Sequence, residues 1–267
     1  METTVVSTQH WSLDQIGYER IDVARVRSRD DLFLLVCSAS FIESGSDTYT
    51  RNLIEYFASD ADFVDWLQDR WEPEELQHGR ALRNYLQHVW PDFDWDAAYA
   101  GFFAEYAQLC VIDELEPTRG QELVARCIVE TGTTTYYQAL AALADEPVLH
   151  GLASRIRADE VGHYKQFYHQ FLKYREREGL GRAQVVAAIW RRVAELRRSD
   201  SDIALRHAAR ALGGRADTAR DHLYALLAQR FPVDLAVRMA LKPLRLHTGL
   251  QRCAERPLGA VVRRMMH

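Results

Sequence analysis

Two short phrases in the chain hold residue types that bind metals. Glu75 and His78 form one Glu-x-x-His, and Glu160 and His163 form a second. An acid, Glu74 or Asp159, stands immediately before each glutamate. A lone glutamate leads each phrase, Glu43 before Glu75 and Glu130 before Glu160, each by about one helical hairpin. Residues three apart on an α-helix share a face, so the glutamate and histidine of each phrase can grip one ion or bridge two. Two such helices, with two more giving one glutamate each, supply four carboxylates and two imidazoles. That is the ligand set with which a four-helix bundle holds two iron or manganese ions. Four negative charges balance two divalent cations, and oxygen donors with one imidazole per ion suit iron(II), with manganese possible. Without metal, burying four carboxylates would be very costly.

These six side chains demand long helices, and helical periodicity dominates the sequence. A short helix is expected over 12–28, opened by Ser12, after a loose N-terminus. Long helices are expected over 30–58 and 60–90, the second kinked or broken near Trp71 by Pro73 and ended by Pro91. A shorter aromatic helix follows over 94–110. The third and fourth ligand helices span about 119–144 and 146–178, joined by a turn at Asp145-Glu146-Pro147 and stopped by Gly179 and Gly181. Beyond lie an arginine-rich helix over 181–199, a break at Gly213-Gly214, helices over 217–230 and after Pro232, and a tail interrupted at Pro257-Leu258-Gly259. The expected organisation is an N-terminal segment (1–29), a catalytic bundle (30–178) and a basic helical extension (179–267).

The chain has 267 residues, 48% of them apolar and 27% charged, enough for one large core. No run of apolar residues is long enough for a membrane span, and the N-terminus lacks a secretory pattern. The cysteines Cys37, Cys110, Cys127 and Cys253 show no paired spacing and read as reduced, mostly buried thiols, which places the chain in the cytoplasm. Charge is uneven: residues 1–174 carry 14 basic and 29 acidic side chains, residues 175–267 carry 19 and 9. The basic part either meets something acidic or packs on the acidic bundle. Nothing in it resembles a nucleic-acid-binding pattern.

Around the ligand set, Glu43 lies among Ser38, Ser40, Ser44, Ser46 and Asp47, a polar patch in an otherwise apolar helix. Glu130 is followed by Thr133, Thr134 and Tyr137. Metal-bound imidazoles donate their second N–H to an acid or carbonyl, and symmetry pairs Asp159 with His78 and Glu74 with His163. Trp11, Trp71 and Tyr164 either flank the site or belong to the core. The other histidines, among them His10 and His267, have no carboxylate at ligand spacing.

Three stretches resemble the soluble acyl-carrier-protein desaturase family, within the ferritin-like diiron superfamily. Trp71-Glu72-Pro73-Glu74-Glu75-Leu76-Gln77-His78-Gly79 is similar to its W-x-x-E-E-x-x-H-G. Glu130-Thr131-Gly132-Thr133 is similar to its E-x-x-T, and Asp159-Glu160-Val161-Gly162-His163 to its D-E-x-x-H. The likeness covers about 30–175, and Gly162 replaces a basic residue frequent in the family. The resemblance implies an all-α, ferritin-like four-helix bundle with additional N- and C-terminal helices. It implies two iron ions, O2 as co-substrate, electrons from a ferredoxin-like donor, a homodimer, and Thr133 beside the oxygen site. The reaction it implies is desaturation, or hydroxylation, of a fatty-acyl chain on acyl carrier protein.

Two other functions fit the same ligands. One is a diiron N-oxygenase or hydroxylase of a small molecule, and the other a non-enzymatic, ferritin-like iron-binding protein. Some ninety residues after the fourth helix argue against a storage cage, and Leu82 stands where a radical-bearing relative has a tyrosine. The basic tail, with Lys242, Arg245, Arg252, Arg256, Arg263 and Arg264 among leucines, either docks a carrier protein or membrane surface or covers the bundle.

Overall fold

The computed structural model describes residues 11–195 and 200–266. The first ten residues, with His10, the end of the stretch expected to be helical over 181–199, and His267 lie outside them. Among the described residues there is no strand. Four helices form the bundle: α2 (Asp30–Ser44), α5 (Glu72–Val89), α7 (Arg119–Leu143) and α8 (Pro147–Arg177). The short α1 (Val23–Val26) precedes them, α3 (Ser46–Tyr56) and α4 (Ala61–Trp66) link α2 to α5, and α6 (Trp95–Tyr106) follows α5. The C-terminal part holds α9 (Arg182–Glu195), α10 (Asp200–Arg210), α11 (Ala216–Arg230), α12 (Val233–Leu241) and α13 (Thr248–Met266).

The bundle is two antiparallel hairpins. In one, the Phe33 ring meets Trp90 while Ser44 meets Gly79, so α2 and α5 run in opposite directions. In the other, Gly120 N–H donates to the Glu178 carboxylate at 3.0 Å and His150 meets the Ala141 carbonyl at 2.9 Å. Caps fix where α7 and α8 begin. Thr118 Oγ1 accepts from the Gln121 N–H, and the buried Glu146 side chain accepts from the N–H groups of Val148 and Leu149. Pro147 occupies the first helical position, where its missing N–H removes nothing.

Several helices differ from the sequence expectation. The stretch expected as one helix over 12–28 is two 3-10 turns and the single turn α1, because the chain reverses at Gly17 with φ of +70°. The helix expected over 30–58 divides at Gly45 into α2 and α3. A Cβ there would lie 2.9 Å from the Tyr106 ring, which packs into the junction. The helix expected over 60–90, by contrast, has its expected break near Trp71: α4 gives way to a π-helical turn at Leu67–Trp71, and α5 restarts at Glu72 with Pro73 in its first turn. Pro257 does not interrupt the tail. It lies inside α13, and the carbonyl it leaves without a helical partner belongs to Cys253, an exposed residue whose carbonyl water can serve.

Two apolar clusters fill the interior and meet at the level of the Glu-x-x-His phrases. One joins α2, α5, α6, α10 and α11 through residues such as Phe41, Leu82, Phe102 and Leu223. The other joins α3, α4, α9 and α12 to α7 and α8 through Phe57, Phe63, Phe167 and Val237. Each fully buried side chain of this size contributes about 1.5–3 kcal/mol, so a polar cluster between them sits in a scaffold that resists collapse. The C-terminal helices thus share the bundle's core. Leu241 and Leu244 are buried, Lys242 Nζ lies 4.7 Å from the Tyr168 ring, and Arg263 pairs with Asp234 at 2.9 Å, whereas Leu250 and Val261 face outward. Cys37 and Cys127 are free, buried thiols, Cys110 is half-buried and Cys253 exposed. No helix of the described residues is long and apolar enough to cross a membrane.

Candidate metal centre

Each bundle helix delivers its side chain by ordinary helical geometry. Glu43 sits one residue before the end of α2, and Glu75 and His78 occupy the first turns of α5 just after the π turn. Glu130 lies midway along α7 and Glu160 and His163 midway along α8. Gly79 lets the first hairpin close. A Cβ on it would come within 2.5 Å of Ser44 Oγ and 2.8 Å of the Ser44 nitrogen, so only glycine allows this approach beside His78.

The six side chains are buried and form two overlapping groups, Glu43–Glu75–His78–Glu160 and Glu75–Glu130–Glu160–His163. His78 Nδ1 lies 3.3 Å from Glu160 Oε1 and 3.9 Å from both Glu75 Oε2 and Glu43 Oε2. His163 Nδ1 lies 3.0 Å from Glu75 Oε1 and 3.8 Å from Glu130 Oε2 and Glu160 Oε2. Glu75 and Glu160 therefore each offer one oxygen to each imidazole, while Glu43 serves one group and Glu130 the other.

The outer nitrogens are held from behind. His78 Nε2 is 3.1 Å from Asp159 Oδ2, and His163 Nε2 is 2.8 Å from Glu74 Oε2. Trp11 Nε1 donates to Asp159 at 2.7 Å and its ring stacks on His78, while Arg70 Nε donates to Glu74 at 3.2 Å. Trp71 packs edge-on to His163, and Tyr164 turns away to donate to the Met239 carbonyl on α12. Thr133 Oγ1 donates to Glu160 Oε2 at 2.6 Å, and Tyr137 donates to Glu43 Oε1. Tyr137 lies two turns beyond Glu130 on the same face, a spacing that marks it in the sequence. Trp11, expected either to flank the site or to belong to the core, flanks it, whereas Arg70 has no local signal in the sequence.

The electrostatics of this cluster are unbalanced. Burial pushes the Glu43 and Glu130 carboxyls well above the usual carboxylate range, and the carboxylates of Glu75 and Glu160 around Glu43, and of Glu160 beside Glu130, push them further. Burial also raises Glu160, but the two imidazoles outweigh it and hold that carboxyl far below its ordinary value. Burial opposes charge on His78, yet Asp159 and Glu160 push it up to about 9, and Glu160 and Glu74 raise His163 in the same way. Three inward atoms, His78 Nδ1, His163 Nδ1 and Glu160 Oε1, are buried without a hydrogen-bond partner. Unpaired buried donors and acceptors are rare. A cation at each group would satisfy all three, so the donor set fits two hard metal ions.

A cavity of about 1170 Å³ adjoins the cluster, with Glu43, Glu75, Glu130 and Glu160 in its wall. Leu34, Leu35, Ala39 and Ile42 of α2 and Val129 and Tyr136 of α7 line it, and Leu223, Leu227 and Phe231 extend it toward α11. The exposed Trp190 on α9 and Tyr224 on α11 stand at its edge.

The fold is a ferritin-like four-helix bundle, and its acid–histidine cluster is of the kind that can hold metal ions. The chain is 32% identical over 163 residues to a protein provisionally named acyl-(acyl-carrier-protein) desaturase DesA2, found in two strains of Mycobacterium tuberculosis. The match covers 57% of this chain and 53% of the relative, so the chain spans about half the length of the curated relatives it matches. No family model matches. The likeness supports the resemblance to the acyl-carrier-protein desaturase family carried by the Glu-x-x-His phrases.

Proposed function

We propose that this chain is an O2-dependent diiron oxidase that desaturates, or hydroxylates, a long apolar chain. The observation that supports it best is the opening of the buried carboxylate–imidazole cluster onto the apolar cavity. A storage site needs ligands but no such room beside them. Glu43, Glu75, His78, Glu130, Glu160 and His163 would hold two iron ions, and manganese suits the same donors. When bound, such a pair supplies O2 activation and two-electron redox chemistry. The chain's own residues do the rest. Asp159 and Glu74 orient the imidazoles, Tyr137 holds Glu43, and Thr133, which donates to Glu160, keeps a hydroxyl proton at the edge of the cluster. The aliphatic walls exclude water and align methylenes along α2 and α7.

The named relatives make an acyl chain on acyl carrier protein the first substrate to test. A ferredoxin-like electron donor and a homodimer complete the proposal, with the basic C-terminal helices as a docking face for an acidic carrier protein or membrane surface. The test is to load the reduced protein with iron, add O2 and acyl-carrier substrates, and weigh the products. Loss of two hydrogens supports desaturation and gain of one oxygen supports hydroxylation or N-oxygenation. Iron uptake without turnover would overturn the oxidase reading.

A further inference from the structure

The cavity wall carries charge outside the cluster, at Glu114, Arg191, Arg192, Glu195, Asp200 and Asp202 and at Arg126, and of these Arg126 alone is buried. It lies one helical turn before Glu130 on α7. A buried guanidinium normally makes several hydrogen bonds, since it carries five donors and does not lose its charge. Here the nearest carboxylate, Glu122, stands 3.8 Å from Nε, beyond hydrogen-bonding distance, and Nε has no partner. Glu122 is already engaged, accepting from Tyr49 Oη at 2.6 Å and from the Glu116 N–H at 2.9 Å. The other neighbour is the Tyr49 ring, 4.2 Å below the guanidinium carbon. Burial opposes the charge and nearby groups, the Glu122 and Glu130 carboxylates among them, offset it through space, but Nε still lacks an acceptor, which a ligand with anionic oxygens would supply.

The cavity is also polarised along its length. It follows α7 from Arg126 to Tyr137, ~16 Å at ~1.5 Å per residue. Tyr136 donates to the carbonyl of Leu35 at the far end, and Arg126 stands at the near end.

We propose that Arg126 binds an anionic oxygen group on the substrate, a carboxylate or its equivalent, with the apolar chain running past the Glu43–Glu130 level toward Leu35. This rests on the cavity being the substrate site, and it makes a free acid, rather than the neutral thioester of a carrier-bound chain, the form the cavity selects. Arg126 and Glu130 are four residues, ~6 Å, apart along the helix, so the carbons facing the cluster lie a few bonds from that polar group rather than deep along the chain.

The test compares dodecanoate with dodecanol by equilibrium dialysis, using the full chain both metal-loaded and stripped by chelator. The stripped protein removes direct carboxylate–metal contact from the comparison. The expected result is dodecanoate bound about tenfold or more tighter than dodecanol in both forms. In Arg126→Gln that preference disappears while dodecanol affinity stays, and Arg126→Lys recovers part of it. Equal affinities in the stripped wild type, or an undiminished acid preference in Arg126→Gln, would overturn the inference. Should Arg126→Gln not fold, the stripped wild-type comparison and Arg126→Lys decide. Binding needs no turnover, so an oxidase without acid preference sinks only this inference, and acid preference without turnover sinks only the oxidase reading.

Discussion

Glu74 Oε2 and His163 Nε2 meet at 2.8 Å across the two hairpins, and the other Glu74 oxygen accepts from Arg70. The residue before one Glu-x-x-His thus orients the histidine of the other, and Asp159 does the same for His78. Partners of this kind are typically worth 10–100-fold in metal affinity. Glu74→Ala is expected to weaken one of the two metal sites by about that factor, measured by competitive chelator titration, while Glu74→Gln keeps an acceptor and loses less. Unchanged affinity in Glu74→Ala would remove the orienting role.

Tyr137→Phe deletes the buried hydroxyl that donates to Glu43. An orphaned buried acceptor costs about 1–3 kcal/mol, and the Glu43 carboxyl rises further without its donor. Urea unfolding of the metal-free variant should show a loss of that size. A wild-type midpoint would mean that the hydroxyl contributes nothing.

Gly79→Ala and Gly162→Ala make a matched pair. At Gly79 the new Cβ meets Ser44 backbone, so α2 and α5 must separate, with an expected loss of about 1–3 kcal/mol and poorer metal uptake. At Gly162 an added Cβ meets nothing within 4 Å, and alanine in a helix interior is favoured by about 1 kcal/mol. Thermal melts that show the same sign for both would contradict the close α2–α5 approach.

The pH dependence of the metal-free protein follows from His78. Its folded-state value, about 9, exceeds the ordinary 6.5, so the stability it contributes is complete below 6.5 and is lost as pH rises through about 9. Glu43 and Glu130, also raised, act in the same direction. Metal replaces these protons, so loading at pH 7 should release protons into an unbuffered solution and flatten the profile. Metal-free protein that gains stability between pH 6.5 and 9 would contradict the buried arrangement.

How much of this was legible in the sequence varies by element. The bounds of α8 follow from Pro147 and Gly179, local signals at the positions where that helix starts and stops. The side chains gathered at the cluster follow from spacing, because three-residue steps on facing helices leave them few other places to point. The N-terminal turns do not follow, since the positive φ of Gly17 overrides an otherwise helical pattern. The break at Gly45 depends on Tyr106, distant in sequence. Arg70 and Arg126 acquire their roles only from packing, because an arginine in a helix normally reaches solvent and nothing local shows that these cannot.

The most direct test is metal content by anomalous scattering on wild type and on Glu160→Ala, Glu160 being with Glu75 one of the two residues shared by both groups. The expected result is two ions between α2, α5, α7 and α8 in the wild type, and their loss in Glu160→Ala with helix content retained by circular dichroism. A full metal complement in Glu160→Ala, or wild-type ions bound away from these helices, would contradict the account.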